Sequence, residues 1–374
     1  MSKPTNEEFL RTWSEIDPGA LRHNLKVARE FSGGREIMAV VKADAYGHGL
    51  ARIVKALAGE VTWFGVANVE EGLVVAANSG EKVLVLGPIL PHERELAVDQ
   101  GFVVVLSSWA EAEAFAQFGK PVSAHLAIDS GMGRMGCLES EVLDLVARIR
   151  DLEHVRLEGV ATHFPSADED EAYTREQIAR IGELLGEIPD LSEVHLSNSA
   201  GLLGFAGEQP FATLMRPGLM LYGLSPLPAL QDRLRPVMSL KSRVTLVREL
   251  PAGRGISYGR TFVTSKPVQV ATVGAGYGDG YPRHLSNQGA EVLINGKRCP
   301  VLGRVTMDQI MVDVSGLDPL PGAGDEVVLI GEQERSGRPI LATEIAEKAG
   351  TISWEILTGI TQRVKRVEVW PESP

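Results

Sequence analysis

The sequence predicts an α/β protein in which an N-terminal (β/α)8 TIM barrel is followed by a mostly antiparallel β-domain. Between residues 36 and 222, short apolar strands alternate with amphipathic helical segments, which is the pattern of a parallel sheet. Beyond residue 236, the strands are separated by Gly, Pro and Asn turns. The length of 374 residues is enough for two domains, each with its own core.

The predicted domains are residues 1–236 and 237–374, with a boundary near Leu234–Val237. Residues 12–17 alternate between apolar and polar side chains. That alternation is typical of a half-buried strand, and this segment is a candidate strand of the second domain.

The first domain contains eight candidate strands, which would be joined by right-handed strand–helix–strand crossovers. Eight such units fit a closed barrel of the usual size, and an open doubly wound sheet is the alternative. The strands are predicted at 36–42, 61–67, 83–87, 102–106, 122–129, 157–162, 193–197 and 213–222. The helices are predicted at 49–58, 68–79, 109–119, 140–151 and 172–187.

The second domain contains seven candidate strands and one helical segment, at 342–357. Asn295-Gly296 lies between an apolar pair, Leu293-Ile294, and a basic pair, Lys297-Arg298. This dipeptide is typical of a two-residue hairpin turn. The strands are predicted at 238–249, 268–275, 290–294, 298–305, 309–314, 325–330 and 360–370.

Composition excludes several classes of function. The formal net charge of −12 and the pI near 5.3 argue against nucleic acid as a partner and leave no basic membrane patch. The two cysteines have no metal-ligand spacing, so no metal site is predicted. The chain starts without a basic and apolar leader, and no apolar run reaches about 18 residues. A cytoplasmic location is therefore expected.

Lys42 is the candidate nucleophile. The apolar run that precedes it predicts a strand buried on both faces, and a loop follows. An amine held at such a strand end is desolvated, which lowers its pKa and makes it a better nucleophile. The structural alternative is a lysine that reaches from the strand end into solvent.

Other polar residues follow predicted barrel strands five to eight, at the rim where barrel enzymes place their active sites. Taken singly, each has a structural explanation: a core histidine, a helix cap, a turn or a solvated arginine. Their coincidence at one rim favours function. The residues are Arg134, His163, Asn198, Ser199 and Arg216.

This set of groups suits an aldehyde that carries a phosphate. Exposed amides at Gly218 and Leu219, with the hydroxyls of Ser199 and Tyr46, would hold the phosphate. Lys42 would form a Schiff base with the aldehyde, so pyridoxal 5'-phosphate is the cofactor that we expect.

Nine motifs, spread over nearly the whole chain, occur in the order found in alanine racemases, which are fold-type III pyridoxal-phosphate enzymes. The most specific are VKADAYGHG and MDQIMVDV. The chain resembles this family in GMGRMG, THFPSAD, NSAG, RPGLMLYG, ISYGRTF, GYGDGYPR and ISWEI as well.

The resemblance implies a two-base mechanism that interconverts L-alanine and D-alanine. Lys42 would carry the cofactor and then act as the base on one face of the substrate. Tyr258 would be the base on the opposite face and would come from the partner subunit of a homodimer. His163 and Arg216 would connect to Tyr258 and to the pyridine nitrogen of the cofactor. The product D-alanine would supply bacterial peptidoglycan.

The resemblance also implies the substrate site. Arg134 and the backbone amide of Met307 would bind the substrate carboxylate, and Asp308 would shape the same loop. Tyr277 would stand in the entry corridor. Trp354 would contact the cofactor phosphate.

Two positions depart from the family pattern. Many members carry a carbamylated lysine where this chain has Ala127, so Arg134 must be oriented differently here, by a chloride, a water or another side chain. The family's usual tyrosine in the C-terminal YE segment is Trp354 here. An indole N–H donates one hydrogen bond but accepts none, and the larger ring is expected to narrow the substrate pocket.

Three other functions remain open from the sequence. One is a racemase of broader specificity, acting on serine or basic amino acids. Another is a pyridoxal-phosphate carrier, although such proteins lack the second domain. The third is an interaction scaffold built on the acidic surface.

Overall fold

The computed structural model describes residues 10–333 and 337–369. The chain divides into two compact units. We call Leu21–Arg235 the barrel unit, and Met1–Ala20 together with Pro236–Pro374 the β-unit. Strand β1 (Thr12–Ile16) opens the described β-unit, and helix α1 (Pro18–Ser32) follows it.

The barrel unit is a closed parallel sheet. The hydrogen-bonded order of its eight main strands is β10-β2-β3-β4-β5-β6-β8-β9. The two ends meet because the Thr213 N–H donates to Val194 O at 2.9 Å and the Arg216 N–H donates to Ser197 O at 3.0 Å. The strands are β2 (Glu36–Val40), β3 (Trp63–Val66), β4 (Lys82–Val85), β5 (Val103–Leu106), β6 (Val122–Asp129), β7 (Cys137–Leu138, paired with β6), β8 (Val155–Ala161), β9 (Glu193–His195) and β10 (Leu214–Met215).

The closed barrel is confirmed, and the open sheet is wrong. The eighth strand is also shorter than predicted, because the sequence favours a strand over 213–222 and only Leu214–Met215 forms one. Pro217 has no N–H to continue the ladder, and the apolar run Leu219–Tyr222 that follows is a buried 3₁₀ turn.

Helices cover the strand connections. Polar side chains cap several of them: Asn68, Ser108 and Asp170 each accept a backbone N–H of the first turn. After α1, the barrel helices are α2 (Lys42–Tyr46), α3 (Leu50–Leu57), α4 (Val69–Ala76), α5 (Arg94–Asp99), α6 (Trp109–Ala116), α7 (Val142–Arg150), α8 (Glu171–Leu185) and α9 (Ser199–Phe205).

Five of these helices match the predicted segments, and α1, α2, α5 and α9 were not predicted. Helix α9 is apolar and buried nearly all round, so it has no amphipathic period to detect. Helix α5 has six residues, too few for the period to stand out.

The β-unit is an eight-stranded sheet with the order β14-β17-β16-β15-β18-β11-β1-β19. Strand β1 lies between β11, to which it is antiparallel, and β19, to which it is parallel. The other seven strands of this sheet are β11 (Met238–Leu250), β14 (Val268–Val273), β15 (Glu291–Ile294), β16 (Lys297–Leu302), β17 (Ile310–Asp313), β18 (Glu326–Ile330) and β19 (Lys365–Glu368). Strands β12 (Gly255–Ile256) and β13 (Phe262–Val263) form a separate two-stranded antiparallel sheet.

The turn at Asn295-Gly296 joins β15 to β16, and Ile294 faces Lys297 across the hairpin. Both turn residues have positive φ, 52° and 73°, as a type I′ turn requires. The predicted helical segment at 342–357 is two helices, α10 (Ala342–Ala349) and α11 (Ser353–Thr358). Gly350, with φ 72°, ends the first of them. None of the helices in the described ranges is both long and apolar enough to cross a membrane.

Candidate active site

Lys42 does not enter an irregular loop, as the sequence suggested, but starts a left-handed helical turn. Ala43, Asp44, Ala45 and Tyr46 all have φ of 54–55°. L-residues avoid this conformation, at a cost of about 1–2 kcal/mol each. Such strain persists only where the surroundings determine the backbone fully.

Polar contacts hold this turn on every side. The Ala43 N–H donates to Glu71 Oε1 at 2.6 Å, and the Leu50 N–H donates to Asp44 Oδ1 at 2.7 Å. His48 Nδ1 lies 3.0 Å from Ala45 O and 2.9 Å from Tyr46 O. The backbone that follows Lys42 is therefore fixed, and so is the origin of its side chain.

The Lys42 amine lies in an electropositive environment. Its pKa is lowered, first by burial and then by the charges of Arg134 and Arg216, against an opposing effect of Glu71. A lowered pKa keeps more of the amine neutral near pH 7, the form that attacks an aldehyde. The predicted desolvation of Lys42 is thus accompanied by two cationic neighbours.

Arg216 is buried without a carboxylate partner among the described residues. Its NH1 donates to His195 O at 2.5 Å, and its NH2 donates to Thr162 O at 2.7 Å and to Leu196 O at 3.0 Å. Burial, and then Arg134, lower its pKa to about 10, so it stays charged near pH 7. The carbonyls fix a full positive charge in the barrel.

Arg216 also sets the tautomer of His163. Its NH2 lies 3.2 Å from His163 Nδ1, and arginine can only donate. His163 Nδ1 must therefore accept, and the ring proton is on Nε2. Asn198 Nδ2, 3.5 Å from that nitrogen, donates to Phe164 O at 3.2 Å. The Nε2–H of His163 is consequently available to an acceptor in the site.

We predict that the His163 side chain stays neutral over the pH range in which the protein works. Burial, and then the charges of Arg216, Arg134 and Lys42, lower its pKa to about 3. Nitrogen-15 spectra of the histidine rings should show no titration of His163 between about pH 5 and 9, whereas an ordinary exposed histidine titrates near 6.5. A midpoint for His163 inside that window would contradict this electrostatic description.

Ser199, Tyr46 and Gly218 form a hydroxyl-lined cradle. Ser199 Oγ accepts the Gly218 N–H at 3.0 Å and the Met220 N–H at 3.2 Å. The hydroxyl proton of Ser199 therefore remains available to donate to a ligand. A Cβ on Gly218 would collide with Tyr46 Oη. Burial raises the pKa of the Tyr46 phenol, which therefore remains a donor.

The two backbone amides that were predicted to hold the phosphate differ in whether they already make a hydrogen bond. The Gly218 amide is engaged with Ser199, whereas the Leu219 N–H makes no hydrogen bond within the described residues. Asn198 caps α9 by accepting the Gly201 N–H at 3.0 Å. Asn198 therefore caps this helix in the structure, and its predicted contact with the cofactor stays a prediction.

Arg134 lies exposed in a glycine-rich loop after β6. Asp129 Oδ1 accepts the N–H groups of Gly131 and Gly133, both at 3.0 Å. Gly131 and Gly133 have φ of 136° and 68°, which few other residues adopt. The loop is rigid at its base and carries the guanidinium at its tip.

Ala127 faces an apolar cluster rather than a polar site. It packs with Met38, Trp63 and Leu84, and Met135 covers the same cluster. An anion in this cluster would be desolvated without a hydrogen-bonding partner. The apolar packing argues against a chloride buried beside Ala127 as the group that orients Arg134.

Tyr258 lies in the β-unit on a strained and exposed turn. Its side chain is 70% exposed. Ser257, Gly259 and Arg260 around it have φ of 63°, 71° and 47°. Ser257 Oγ donates to Arg304 O at 2.6 Å, which anchors the turn.

Arg363 clamps the loop of Met307 and Asp308 to Asp279, two residues after Tyr277, and nothing in the sequence alone singles it out. Arg363 Nε donates to Asp279 Oδ1 at 2.8 Å, and its NH2 donates to Asp308 Oδ1 at 2.8 Å. The Tyr277 N–H donates to Thr306 O at 3.0 Å, next to Met307. Met307 and Tyr277 are exposed by 52% and 40%, so this clamped loop presents its tip outward.

Trp354 is half-buried in the first turn of α11. Its carbonyl accepts the Thr358 hydroxyl at 2.8 Å, whereas its indole N–H has no hydrogen-bond partner within the described ranges. The N–H can therefore still donate to a ligand.

The barrel-unit groups fit an anionic aldehyde such as pyridoxal 5'-phosphate. Lys42, Arg134 and Arg216 interact as like charges, which an anion would relieve. The amine is suited to a carbonyl, and the cradle of Ser199 and Tyr46 to a phosphate. Within residues 10–333 and 337–369, no group of three or more His, Cys, Asp or Glu could hold a metal ion.

Comparison with known proteins gives consistent matches over the whole chain. The family model for the alanine racemase N-terminal domain matches residues 16–226, and the C-terminal domain model matches 237–368. The alanine racemase of Halothermothrix orenii is 42% identical over 369 residues, covering 95% of this chain and 96% of that relative. That of Symbiobacterium thermophilum is 42% identical over 371 residues, with the same coverage of 95% and 96%.

Solved structures agree with this result. The alanine racemase of Clostridium difficile 630 is 34% identical, with a TM-score of 0.89, and the match covers 99% of this chain and 97% of that one. The alanine racemase from Bacillus anthracis with bound L-Ala-P is 36% identical, with a TM-score of 0.87 and coverage of 99% and 97%.

Proposed function

Because this chain belongs to the alanine racemase family, and is a pyridoxal-phosphate-dependent enzyme that interconverts L-alanine and D-alanine, we propose which of its residues perform the reaction. The observation that carries the assignment is the half-buried Lys42 amine, whose pKa is lowered by burial and by the charges of Arg134 and Arg216. On this reading, residues 1–236 hold the cofactor, and residues 237–374 supply the second base.

Lys42 binds the cofactor, with the hydroxyls of Ser199 and Tyr46 and the Leu219 amide on its phosphate. When bound, the cofactor withdraws electrons from the substrate's Cα and so acidifies the α-proton. Lys42 Nζ then takes or returns that proton on one face of Cα. Tyr258 Oη does so on the opposite face. Two bases are needed because a single one returns the proton to the face from which it came.

His163 and Arg216 support the second base and the cofactor. The Nε2–H of His163 donates to the Tyr258 phenolate and stabilises its charged form. Arg216 would donate a hydrogen bond to the pyridine nitrogen of the bound cofactor. Arginine does not readily give up its proton, so Arg216 would hold that nitrogen without protonating it.

The substrate carboxylate binds between Arg134 and the Met307 amide. Asp308 and Arg363 hold the Met307 loop, and Tyr277 lines the entrance. Asp308, Arg363 and Tyr277 are held by hydrogen bonds within the β-unit, which supports a preformed binding loop.

The enzyme works as a homodimer in which Tyr258 and Met307 complete the partner's site. Tyr258, Met307 and Ile352 are exposed by 70%, 52% and 58%. Large side chains left exposed on one unit are consistent with a surface that associates with a partner. Both cysteines are free and buried, in keeping with a cytoplasmic enzyme. The D-alanine that it forms would supply peptidoglycan.

Borohydride reduction of the purified enzyme, followed by peptide mapping, tests the cofactor assignment directly. The reduced cofactor should be found covalently attached to the peptide that contains Lys42. In deuterated water, the α-proton of alanine should exchange for deuterium. A pyridoxal-phosphate carrier would be labelled at Lys42 but would exchange no α-proton.

Replacing Arg363 with methionine should raise the KM for alanine about tenfold, with a smaller change in kcat. The substitution removes two charge-assisted hydrogen bonds that hold the Met307–Asp308 loop. Because Arg363 is 47% exposed, solvent screening limits the effect. Steady-state kinetics of Arg363→Met and Arg363→Lys measure it, with Arg248→Met, on exposed β11, as the control. An unchanged KM in Arg363→Met would contradict the role.

Replacing Trp354 with alanine should widen the substrate range. The half-buried indole fills space that the family's tyrosine would leave open, so removing it should admit side chains longer than a methyl group. A chiral assay across alanine, serine and the basic amino acids would measure this, with Trp354→Tyr as the matched control. The same serine-to-alanine rate ratio in wild type and Trp354→Ala would count against a narrowing role.

A further inference from the structure

We infer that His125 is a positioning residue of this active site and that it acts on Arg216 through His195. His125 Nδ1 lies 2.8 Å from His195 Nε2, and His195 Nδ1 lies 2.5 Å from Arg216 NH1. The three side chains form a hydrogen-bonded chain inside the barrel, which we call the histidine relay. The inference rests on the role proposed above for Arg216.

The chemistry of arginine sets the direction of every bond in the relay. Arg216 has only donors, so His195 Nδ1 accepts and His195 carries its proton on Nε2. That proton is donated to His125 Nδ1, and His125 in turn carries its own proton on Nε2. Both rings are neutral: burial lowers the pKa of His125 to about 3 and that of His195 well below its ordinary value.

The relay ends inside the protein. His125 Nε2 is buried and has no hydrogen-bond partner among the described residues. The His125 ring lies 5.7 Å from the Trp63 ring, centroid to centroid, and Trp63 belongs to an apolar cluster of the barrel. A chain that stops in apolar surroundings has no route by which to pass protons to solvent. Its function is therefore to orient Arg216.

The barrel wall is shaped to admit this ring. Strand β6 is irregular between Ala124 and His125 where it pairs with β8. His125 lies opposite Gly159, and a Cβ at Gly159 would be 3.0 Å from His125 Cδ2 and would collide with Glu193 O. The irregularity in β6 and the missing Cβ at Gly159 thus leave room for the imidazole of His125 in the barrel wall.

If the buried imidazole of His125 only filled space, leucine should replace it with little loss of kcat. The relay predicts otherwise, because it needs an acceptor at the position of Nδ1. Asparagine places its side-chain oxygen near that position and keeps the acceptor, and leucine keeps the volume without it. These two substitutions separate packing from hydrogen bonding.

The test compares His125→Asn with His125→Leu in the holoenzyme. We expect kcat to fall at least tenfold in His125→Leu, with KM little changed, and to recover most of its value in His125→Asn. Nitrogen-15 spectra of histidine-labelled enzyme should show the His195 Nε2–H hydrogen-bonded in wild type and in His125→Asn. In His125→Leu, the same N–H should lose that bond and exchange faster with solvent.

Equal kcat in the two variants, or leucine better than asparagine, would overturn the inference. So would a wild-type spectrum with the His195 proton on Nδ1, a result that needs no variant to fold. An unchanged kcat in Arg216→Lys would instead refute the proposed role of Arg216, while the nitrogen spectra would still decide whether the relay exists.

Discussion

Tyr258→Phe should lower racemisation about 1,000-fold in both directions, within the range typical of a lost acid–base group. The substitution leaves the ring and removes only the hydroxyl that, in the proposed mechanism, accepts or returns the α-proton on one face of the substrate's Cα. L- and D-alanine have equal free energies in solution, so a catalyst must lose kcat/KM equally for both. Chiral chromatography from each pure enantiomer measures the loss.

The same variant should keep a partial reaction. Lys42 still serves the opposite face, so one enantiomer should exchange its α-proton for solvent deuterium without inverting. Tyr277→Phe, which removes another exposed phenol of the β-unit, should lose far less activity. Loss of exchange for both enantiomers in Tyr258→Phe would show that the tyrosine does more than serve one face.

Lys42→Ala should lower activity by at least about 1,000-fold, because the change removes the residue that we propose both to attach the cofactor and to act as the other base. The purified variant should also hold less cofactor, as measured by its visible absorption. Lys55→Ala, on the exposed face of α3, is the matched control and should behave as wild type. A Lys42→Ala enzyme within tenfold of wild type would rule out Lys42 as the attachment point.

Much of the barrel rim could be predicted from the sequence because one rule of the fold applies to every strand. Lys42, His163 and Arg216 each follow an apolar strand, and the carboxyl ends of parallel strands meet at one rim. The structure places these three groups in electrostatic contact, together with Arg134. Alternation of strands and helices was enough to locate them.

The backbone of the site was not predictable in the same way. The left-handed turn after Lys42 is held by Glu71 and His48, and nothing local in KADAY favours positive φ. The turn is fixed by contacts from outside it. The early end of β10 likewise depends on a single proline within an apolar run.

Contacts between residues far apart in sequence were also missed. Arg363 clamps Asp279 and Asp308, which precede it by 84 and 55 residues. His125 and His195 are 70 residues apart, and both lie on strands that look like ordinary core. Sequence periodicity indicates which residues are buried but not which buried polar groups pair.

Subunit complementation tests most directly the claim that each site takes Lys42 from one protomer and Tyr258 from the other. Lys42→Ala and Tyr258→Phe homodimers, each with little racemase activity, are mixed and allowed to exchange subunits. In a shared-site dimer, one site of each mixed dimer carries both lesions and the other carries none. Equal mixing should then restore about one quarter of wild-type activity, because about half of the dimers are mixed. No recovery, despite subunit exchange verified by differently tagged chains, would contradict the shared site.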